Sequence, residues 1–254
     1  MLPVFSLVRQ DGCMTDGTQG RTPRERARLE LTREIKDAAR RQLSEHGASA
    51  LSLRAVAREL GLGSVSALYR YFPGRDALLT ALIVDAYGAL ADAAEAAEAT
   101  VHRRTVLTRW LAICHGVRNW AVAHPHEYGL IFGNPVPGYA APPDTVEPAR
   151  RVPVLLSELL SSVEATGGYD SRQHLSPPRS VRHAVRPLLA QLPPGAPDDL
   201  VVGGLMAWTY LFGAVSFDVF GHRRSVIDDD AAFFDHEMRR IALVLGLTAR
   251  GISR

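Results

Sequence analysis

The sequence predicts an all-α protein, and three observations carry that prediction. Alanine is abundant while aromatic residues make up only 7% of the 254 residues, a balance that favours helix over strand. Apolar residues recur at spacings of three and four along much of the chain. No segment alternates apolar and polar residues over the length that a strand needs. At 46% hydrophobic and 22% charged, the chain can bury a sizeable core. The same composition excludes disorder throughout, a collagen, a coiled-coil rod and a disulfide scaffold. The two cysteines, Cys13 and Cys114, are too few for a disulfide framework and fit a reducing compartment.

Taken in order, residues 1–22 read as a flexible arm. The run Met1–Arg9 lacks a basic leader and a long apolar stretch, so it makes a poor signal peptide. Translation from Met14 and a natural disordered tail both fit residues 1–13. A helix is expected from Pro23 or Arg24, with Leu31, Ile35, Ala38, Ala39 and Leu43 on one face. Gly47 suits its left-handed stop. Ser52 stands where an N-cap belongs, ahead of a short helix that turns Leu53, Val56, Ala57 and Leu60 inward and ends at Gly61. After a tight turn, Ser64 or Ser66 caps a third short helix through Tyr71, broken by Pro73-Gly74.

A long helix is expected from Arg75 to about Ala99, then one over about Arg104–Ala123, closed by His124-Pro125. Pro125 suits the first position of a further helix. Residues 133–147 are rich in Pro and Gly and predict a loop, followed by a helix near Val146–Ala165. Gly167-Gly168, Pro177-Pro178 and Pro193-Pro194 make 166–197 a mobile connection with one short helix near Ser180–Gln191. Two last helices are predicted at about Asp198–Gly221 and Asp229–Leu247. Leu200–Phe217 is an uncharged run of 18 residues, long enough to be tested as a membrane span. Its three glycines and the flanking Asp198, Asp199 and Asp218 point instead to a helix buried between protein neighbours. No membrane partner is expected.

The net charge of +2 hides an asymmetry. Residues 1–76 hold 13 Lys and Arg against 9 Asp and Glu, and the rest hold 16 against 18. A basic excess at one end hints at a polyanion partner there. Within that end, Leu51–Phe72 reads as two short helices joined by a Gly-containing turn and preceded by a longer one. This is helix-turn-helix geometry, which lays the second short helix in the DNA major groove. Leu68 and Phe72, four apart, pack inward. Ser66, Tyr69 and Arg70, with Val65 and Ala67, remain available to DNA. Val65 and Ala67 suit a thymine methyl, and Ser donates or accepts. Tyr and Ser hydroxyls also serve phosphates. Ser52 and Arg54 lie at a helix N-terminus, where phosphate oxygens are favoured. Ser64, Tyr71 and Arg75 complete the candidate set, with Arg75 reaching the DNA backbone from the next helix. Arg21, Arg24, Arg26 and Arg28 fit either an arm for phosphate or minor groove or a solvated helix start interleaved with Glu25 and Glu30.

The series Ala38-Ala39, Leu43, His46-Gly47, Leu51 to Gly61 and Leu68-Tyr69-Arg70-Tyr71-Phe72-Pro73-Gly74-Arg75-Asp76-Ala77-Leu78-Leu79 resembles the N-terminal domain of TetR-family transcriptional regulators. The resemblance covers about residues 26–84, and its Leu-Tyr-x-Tyr-Phe block followed by Leu-Leu is specific to that family. It implies an all-helical homodimer whose N-terminal domain binds a palindromic operator. It also implies a larger domain that takes a small-molecule effector and thereby weakens DNA binding. The chain departs from the family in one place. Gly61 to Leu68 spans one position more than is usual, with the extra residue within Gly63-Ser64-Val65-Ser66, and this leaves open which of residues 63–67 touch bases. The later part, through Trp120, His124-Pro125, Tyr128, Phe132-Gly133, Trp208, Phe212-Gly213 and Phe220-Gly221, is similar to the subgroup with a WHG C-terminal domain.

The expected organisation is therefore an arm over 1–22, a helix-turn-helix domain over 23–74 and a ligand-binding and dimerisation domain over 75–254. Along the apolar helix, Val201, Leu205, Trp208, Phe212, Val215 and Val219 form one stripe. Met206, Tyr210, Gly213, Phe217 and Phe220 form another. One can face its own subunit and the other a partner, in a four-helix interface. Val201, Leu205, Phe212, Val215 and Val219, with Phe234, Met238 and Ile241 of the last helix, are assigned to that interface. Trp110, Cys114, Val117, Trp120, Tyr128, Phe132, Leu155, Leu159 and Trp208 are the candidate walls of an apolar effector cavity, and ordinary core packing competes for each. For His115 and Arg118 interhelical pairing is the preferred role. The histidines do not complete a metal site, and the chain carries no phosphate loop, dinucleotide fingerprint or nucleophile elbow. A cytoplasmic, non-enzymatic regulator without a cofactor is the expectation, and an all-α small-molecule-binding protein or enzyme that has lost DNA binding is the alternative.

Overall fold

The computed structural model describes residues 22–101, 104–163, 168–170, 176–189 and 198–248. In chain order its helices are α1 (Pro23–His46), α2 (Leu53–Glu59), α3 (Ser66–Tyr69), α4 (Arg75–Ala99), α5 (Val106–Ala123) and α6 (Pro125–Phe132). They continue with α7 (Val146–Ser161), α8 (Arg179–Ala184), α9 (Arg186–Leu189), α10 (Asp198–Val219) and α11 (Asp230–Val244). The fold is all-α. Its described residues form no strand beyond an isolated bridge between Tyr169 and Leu247. The chain divides into two compact units, one of residues up to 86 with 126–146, the other of 87–125 with 147 onward.

The first unit is built on α1. Thr22 accepts the Glu25 N–H, and the Glu25 carboxylate accepts the Thr22 N–H at 2.8 Å, so a reciprocal capping box starts the helix. Ile35, Ala38, Ala39 and Leu43 are buried along one face, as their spacing predicts. Leu53, Val56 and Ala57 of α2, Leu68 of α3, Phe72, and Leu78, Leu79, Leu82 and Ile83 of α4 are buried with them. The segment 126–146, far away in sequence, also belongs to this unit. Arg40 on α1 joins Asp85 on α4 and Glu127 on α6 at 2.8 and 2.9 Å. Lys36 shares Asp85 at 2.9 Å, and the hydroxyls of Thr80 and Tyr139 pair at 2.9 Å.

In the second unit α5 is flanked by both α10 and α11. Thr105 caps α5 through the Thr108 N–H, and Asp229 caps α11 through the Ala232 N–H. Trp110, Ile113, Cys114 and Val117 are buried along α5. Gly116 permits the close crossing of α5 on α4: a Cβ there would lie 2.8 Å from the Ala93 carbonyl oxygen and 3.0 Å from the Ala94 Cα. Backbone cannot give way cheaply, so Gly116→Ala is expected to lower stability by about 1–3 kcal/mol. A drop of several degrees in the melting midpoint checks this, and an unchanged midpoint overturns it. Beyond α11, the Asp170 N–H donates to the Gly246 carbonyl at 2.8 Å and the Thr248 N–H to the Gly168 carbonyl at 2.9 Å. Where one short helix was expected between 166 and 197, the described residues hold two, α8 and α9.

The two stripes of α10 divide, and not as expected. Val201, Phe212 and Val215 are buried within the single chain, as are Phe234 and Met238 of α11. Leu205, Val219 and Ile241 are half-buried. The exposed stripe is the other one, with Met206 65% exposed, Phe217 49%, Phe220 46% and Tyr210 41%. Phe233, Leu243 and Val244 of α11 are exposed too. Both stripes have the same periodicity. The more continuous apolar set lies on the side of α5, and the set interrupted by Gly213 is left outside. Two helices, Arg75–Ala99 and Asp199–Val219, are apolar and long enough to cross a membrane, and about half of each lies buried in the fold.

Candidate nucleic-acid interface

The candidate interface is assembled from α2, α3 and the turn between them. Gly61, at φ 65°, closes α2 in the left-handed conformation, where a side chain would be strained. Its N–H donates to the Arg58 carbonyl and that of Leu62 to the Ala57 carbonyl, at 3.1 and 2.9 Å. The extra residue is taken up just beyond. The Ser64 hydroxyl accepts the Ser66 N–H at 3.0 Å and pairs with the Ser66 hydroxyl, so Ser64 braces the turn just ahead of α3. The helix proper is shorter than the pattern through Tyr71 suggests, and a turn continues it, with the Tyr71 and Phe72 N–H groups both reaching the Leu68 carbonyl. Leu68 is fully buried and Phe72 nearly so, and these two anchor α3 to the core.

That anchoring decides what points outward. Ser64, Ser66, Tyr69 and Arg70 are exposed, and Val65, Ala67 and Tyr71 are half-buried. Tyr69 is 53% exposed, which is high for a large ring with so much of its surface apolar. On α2, Arg54 and Arg58 are exposed. Ion pairing sorts the arginines further. Arg33, Arg40 and Arg41 are tied to Glu30, to Asp37, Asp85 and Glu127, and to Glu59. Arg54, Arg58 and Arg70, together with Arg24, Arg26 and Arg28 at the start of α1, have no carboxylate partner among the described residues. Their charge is uncommitted. Arg21 lies outside the described residues.

Two expectations change. Ser52 does occupy the N-cap position of α2, with φ −138° and ψ 122°, but its hydroxyl caps nothing. Its N–H instead donates to the Gln42 side-chain oxygen at 3.3 Å. Gln42, buried on α1, thus ties α1 to the start of α2. Sequence inspection missed it, because one polar residue in an amphipathic helix carries no distinguishing signal. Arg75 does not reach outward. Its Nε donates to the Leu51 carbonyl at 3.2 Å, and its Nη2 to the carbonyls of Ala48 and Ser49 at 3.0 and 3.4 Å. Those carbonyls face a guanidinium at the start of α4, which satisfies them as no neutral side chain would. Arg75→Ala is therefore expected to destabilise the protein, by about 1–3 kcal/mol, as well as weaken DNA binding. Thermal melts check this, and a wild-type melting curve would overturn it.

In the second unit, the candidate cavity walls are mostly core. Trp110, Cys114, Val117 and Leu159 are almost fully buried, and the Trp110 indole N–H donates to the Met238 carbonyl at 3.0 Å. Burial holds the Cys114 thiol well above its ordinary pKa, so it is a neutral core side chain. Trp120 stacks on His124 at 5.1 Å, and Trp208 leans on Phe212 at 4.2 Å. Tyr128 and Phe132 belong to the first unit and pack on each other at 5.1 Å. A cleft of about 360 Å³ does open beside α7, lined by Glu95, Glu98, Glu147, Arg150, Arg151, Val154, Leu155 and Glu158. Of the candidate walls, it includes Leu155. Arg151 spans it to Glu95 and Asp92 at 2.6 and 2.7 Å, and the hydrogen bonds to these carboxylates hold its pKa above the ordinary value. His115 and Arg118 pair with Asp235 and Asp218, at 3.0 and 2.6 Å.

Comparison with known proteins adds a second line of observation. Residues 35–82 match the family of bacterial regulatory proteins of the tetR type. Residues 110–241 match a tetracycline repressor-like C-terminal domain, a description that names no WHG subgroup. An HTH-type transcriptional regulator of Mycobacterium bovis and another of Mycobacterium tuberculosis are each 37% identical over 225 residues, covering 86% of this chain and 94% of theirs. Among solved structures, a regulatory protein designated SCO4313 superposes with a TM-score of 0.72 at 35% identity, covering 87% of this chain and 98% of that one. A bacterial regulatory protein in the tetR family from Rhodococcus RHA1 shares the fold at a TM-score of 0.59 and 13% identity, over 86% of this chain and 98% of that one.

Proposed function

This chain belongs to the TetR family of transcriptional regulators, and from that premise we propose that it is a one-component cytoplasmic repressor, bound to a palindromic operator as a homodimer and released by a small molecule. The observation that carries the DNA-binding part is the uncommitted charge around α3. Arg54, Arg58 and Arg70 lack acidic partners among the described residues, and Ser64, Ser66 and Tyr69 are exposed on α3 and the turn before it. In this reading Ser66, Ala67, Val65 and Tyr69 approach base edges. Ser52, Arg54, Ser64, Arg70 and Tyr71 contact phosphate, and Arg75 holds the loop 48–51 that leads into α2. Arg24, Arg26 and Arg28 add phosphate contacts from the start of α1.

One chain offers one recognition helix. A dimer with two-fold symmetry reads two half-sites about 34 Å apart. The surface that suits self-association is the exposed stripe Met206, Tyr210, Gly213, Phe217 and Phe220, with Phe233 of α11. Effector binding requires only a modest coupling of ~1–3 kcal/mol between sites to change operator occupancy usefully. Helix α4 is the candidate carrier, since its residues 75–86 fall in one unit and 87–99 in the other. The direct test is a mobility-shift series with duplexes from the DNA flanking the gene, at rising salt. Phosphate contacts impose a steep loss of affinity with salt. Binding that is absent, or indifferent to salt, would refute the regulator's proposed mode.

A further inference from the structure

We propose that Arg223 is a positioning residue for self-association: it fixes the spacing of two exposed rings, Phe217 and Phe233, on which the same face of a second copy docks. This rests on the homodimer reading above. The guanidinium carbon lies 5.6 Å from the Phe217 ring centre and 5.0 Å from that of Phe233. Phe217 is on α10 and Phe233 on α11, and the arginine follows α10 in the connection between them. One cation therefore faces two rings from two helices. Phe217 is 49% exposed and Phe233 39%, whereas the Arg223 side chain is only 11% exposed. The charge sits beneath the rings and the rings form the surface.

Arg223 is itself held rigidly. Its Nη1 and Nη2 donate to the two oxygens of Glu237 at 2.8 and 3.2 Å, and Nη1 lies 3.7 Å from Asp218. Glu237 also accepts the Tyr210 hydroxyl at 2.7 Å, and Asp218 accepts from Arg118 Nε at 2.6 Å. Two arginines and two carboxylates, drawn from α5, α10, the connection and α11, thus balance one another. No net charge is left beneath the apolar face to oppose docking. A bidentate, planar guanidinium is oriented by such a frame, and its flat faces suit stacking against rings in a way that a lysine ammonium does not.

The consequence is preorganisation. An exposed phenylalanine ordinarily samples several rotamers, and ordering it opposes association. Here contact with one fixed guanidinium restricts both rings beforehand, with the His222 ring also 5.1 Å from that of Phe217, and the cation–ring attraction strengthens when docking removes water. A second copy is the partner of matching chemistry. Where a helix crosses its own copy on a two-fold axis, one residue type meets itself. Gly213 is exposed at the middle of this stripe with no atom within 4 Å of where a Cβ would stand. It allows a close crossing, with Tyr210 on one side and Phe217 on the other. The copy then brings rings at the same spacing.

Sedimentation across a dilution series tests this with the full chain. Arg223→Lys keeps the charge on Glu237 but loses the planar sandwich. It is expected to raise the dimer dissociation constant tenfold or more, with helicity unchanged. In a Phe217→Ala background the same change is expected to have little further effect, because the two residues act through one contact. Phe233→Leu removes one side of the sandwich while leaving the Arg223–Glu237 pair intact. It is expected to weaken the dimer similarly, and it decides the matter should Arg223→Lys fold poorly. A wild-type chain that stays monomeric would sink the homodimer reading and this proposal with it. A wild-type dimer that neither variant weakens, or effects that simply add in the double variant, would overturn the role of Arg223 and leave the dimer standing.

Discussion

Phe217→Arg is expected to yield a folded monomer whose operator affinity falls on the order of 100-fold or more. The side chain is about half exposed, at 49%, so in the isolated chain a charged replacement can turn into solvent away from Arg223 and the fold should survive. In the dimer the same guanidinium would be carried into an apolar contact, opposite its own copy and beside Arg223. Two unpaired cations brought together out of water oppose association strongly. Losing the partner removes the linkage between two half-sites, and linkage of that kind typically contributes 10²–10⁴-fold. Phe212→Arg is the informative contrast. Phe212 is 8% exposed, so its replacement buries an uncompensated charge in the subunit core and should unfold the second unit. Sedimentation with circular dichroism separates the two outcomes. A Phe217→Arg chain that still sediments as a dimer would refute this assignment of the interface.

Removing Tyr69 and Arg70 together is expected to abolish operator recognition while leaving the protein folded. Both side chains are exposed, and neither anchors α3, since that role falls to Leu68 and Phe72. Each good contact to a base is worth ~1–3 kcal/mol of discrimination. An arginine on phosphate contributes instead to salt dependence, so Arg70→Ala alone should reduce the salt slope by about 1. Tyr69→Ala should lose affinity without that change in slope, if its ring and hydroxyl meet bases. Leu68→Ala is the control in the other direction. It deletes a fully buried side chain, which costs about 2–5 kcal/mol, and DNA binding should be lost along with structure. A mobility-shift titration in which the Tyr69→Ala, Arg70→Ala double variant binds like wild type would remove α3 from the interface.

These two expectations draw unequally on the sequence. The core of α1 to α3 was legible almost residue by residue, with Leu31 and Leu60 left half-buried. Ile35, Ala38, Ala39 and Leu43, then Leu53, Val56 and Ala57, then Leu68 and Phe72, repeat at helical spacing between glycines, and all are buried. Short amphipathic helices bounded by Gly47, Gly61 and Pro73-Gly74 leave few alternative packings. The exposed set on α3 follows for the same reason, because whatever packs inward defines what is left outside. Arg75 was misjudged. An arginine at the start of a helix looks the same whether it seeks phosphate or carbonyls. The choice depends on the loop 48–51, whose carbonyls come within reach of Arg75 only once α1 and α4 are packed.

The second unit shows where periodicity stops. Sequence spacing identified both stripes of α10, but a helix with two apolar faces does not declare which one its own chain will cover. That depends on α5 and α11, whose residues meet α10 from about 100 positions earlier and 20 later, as in the Arg118–Asp218 pair. By itself the sequence determined the helical class, the order and approximate limits of the helices, and the segment that carries the family's N-terminal pattern, because these follow from local pattern and turn chemistry. Tertiary structure alone decided which charges are neutralised, which apolar stripe stays exposed, and that 126–146 joins the first unit. Each of these is a competition between distant side chains for the same partner or the same buried space, and local spacing holds no record of its outcome.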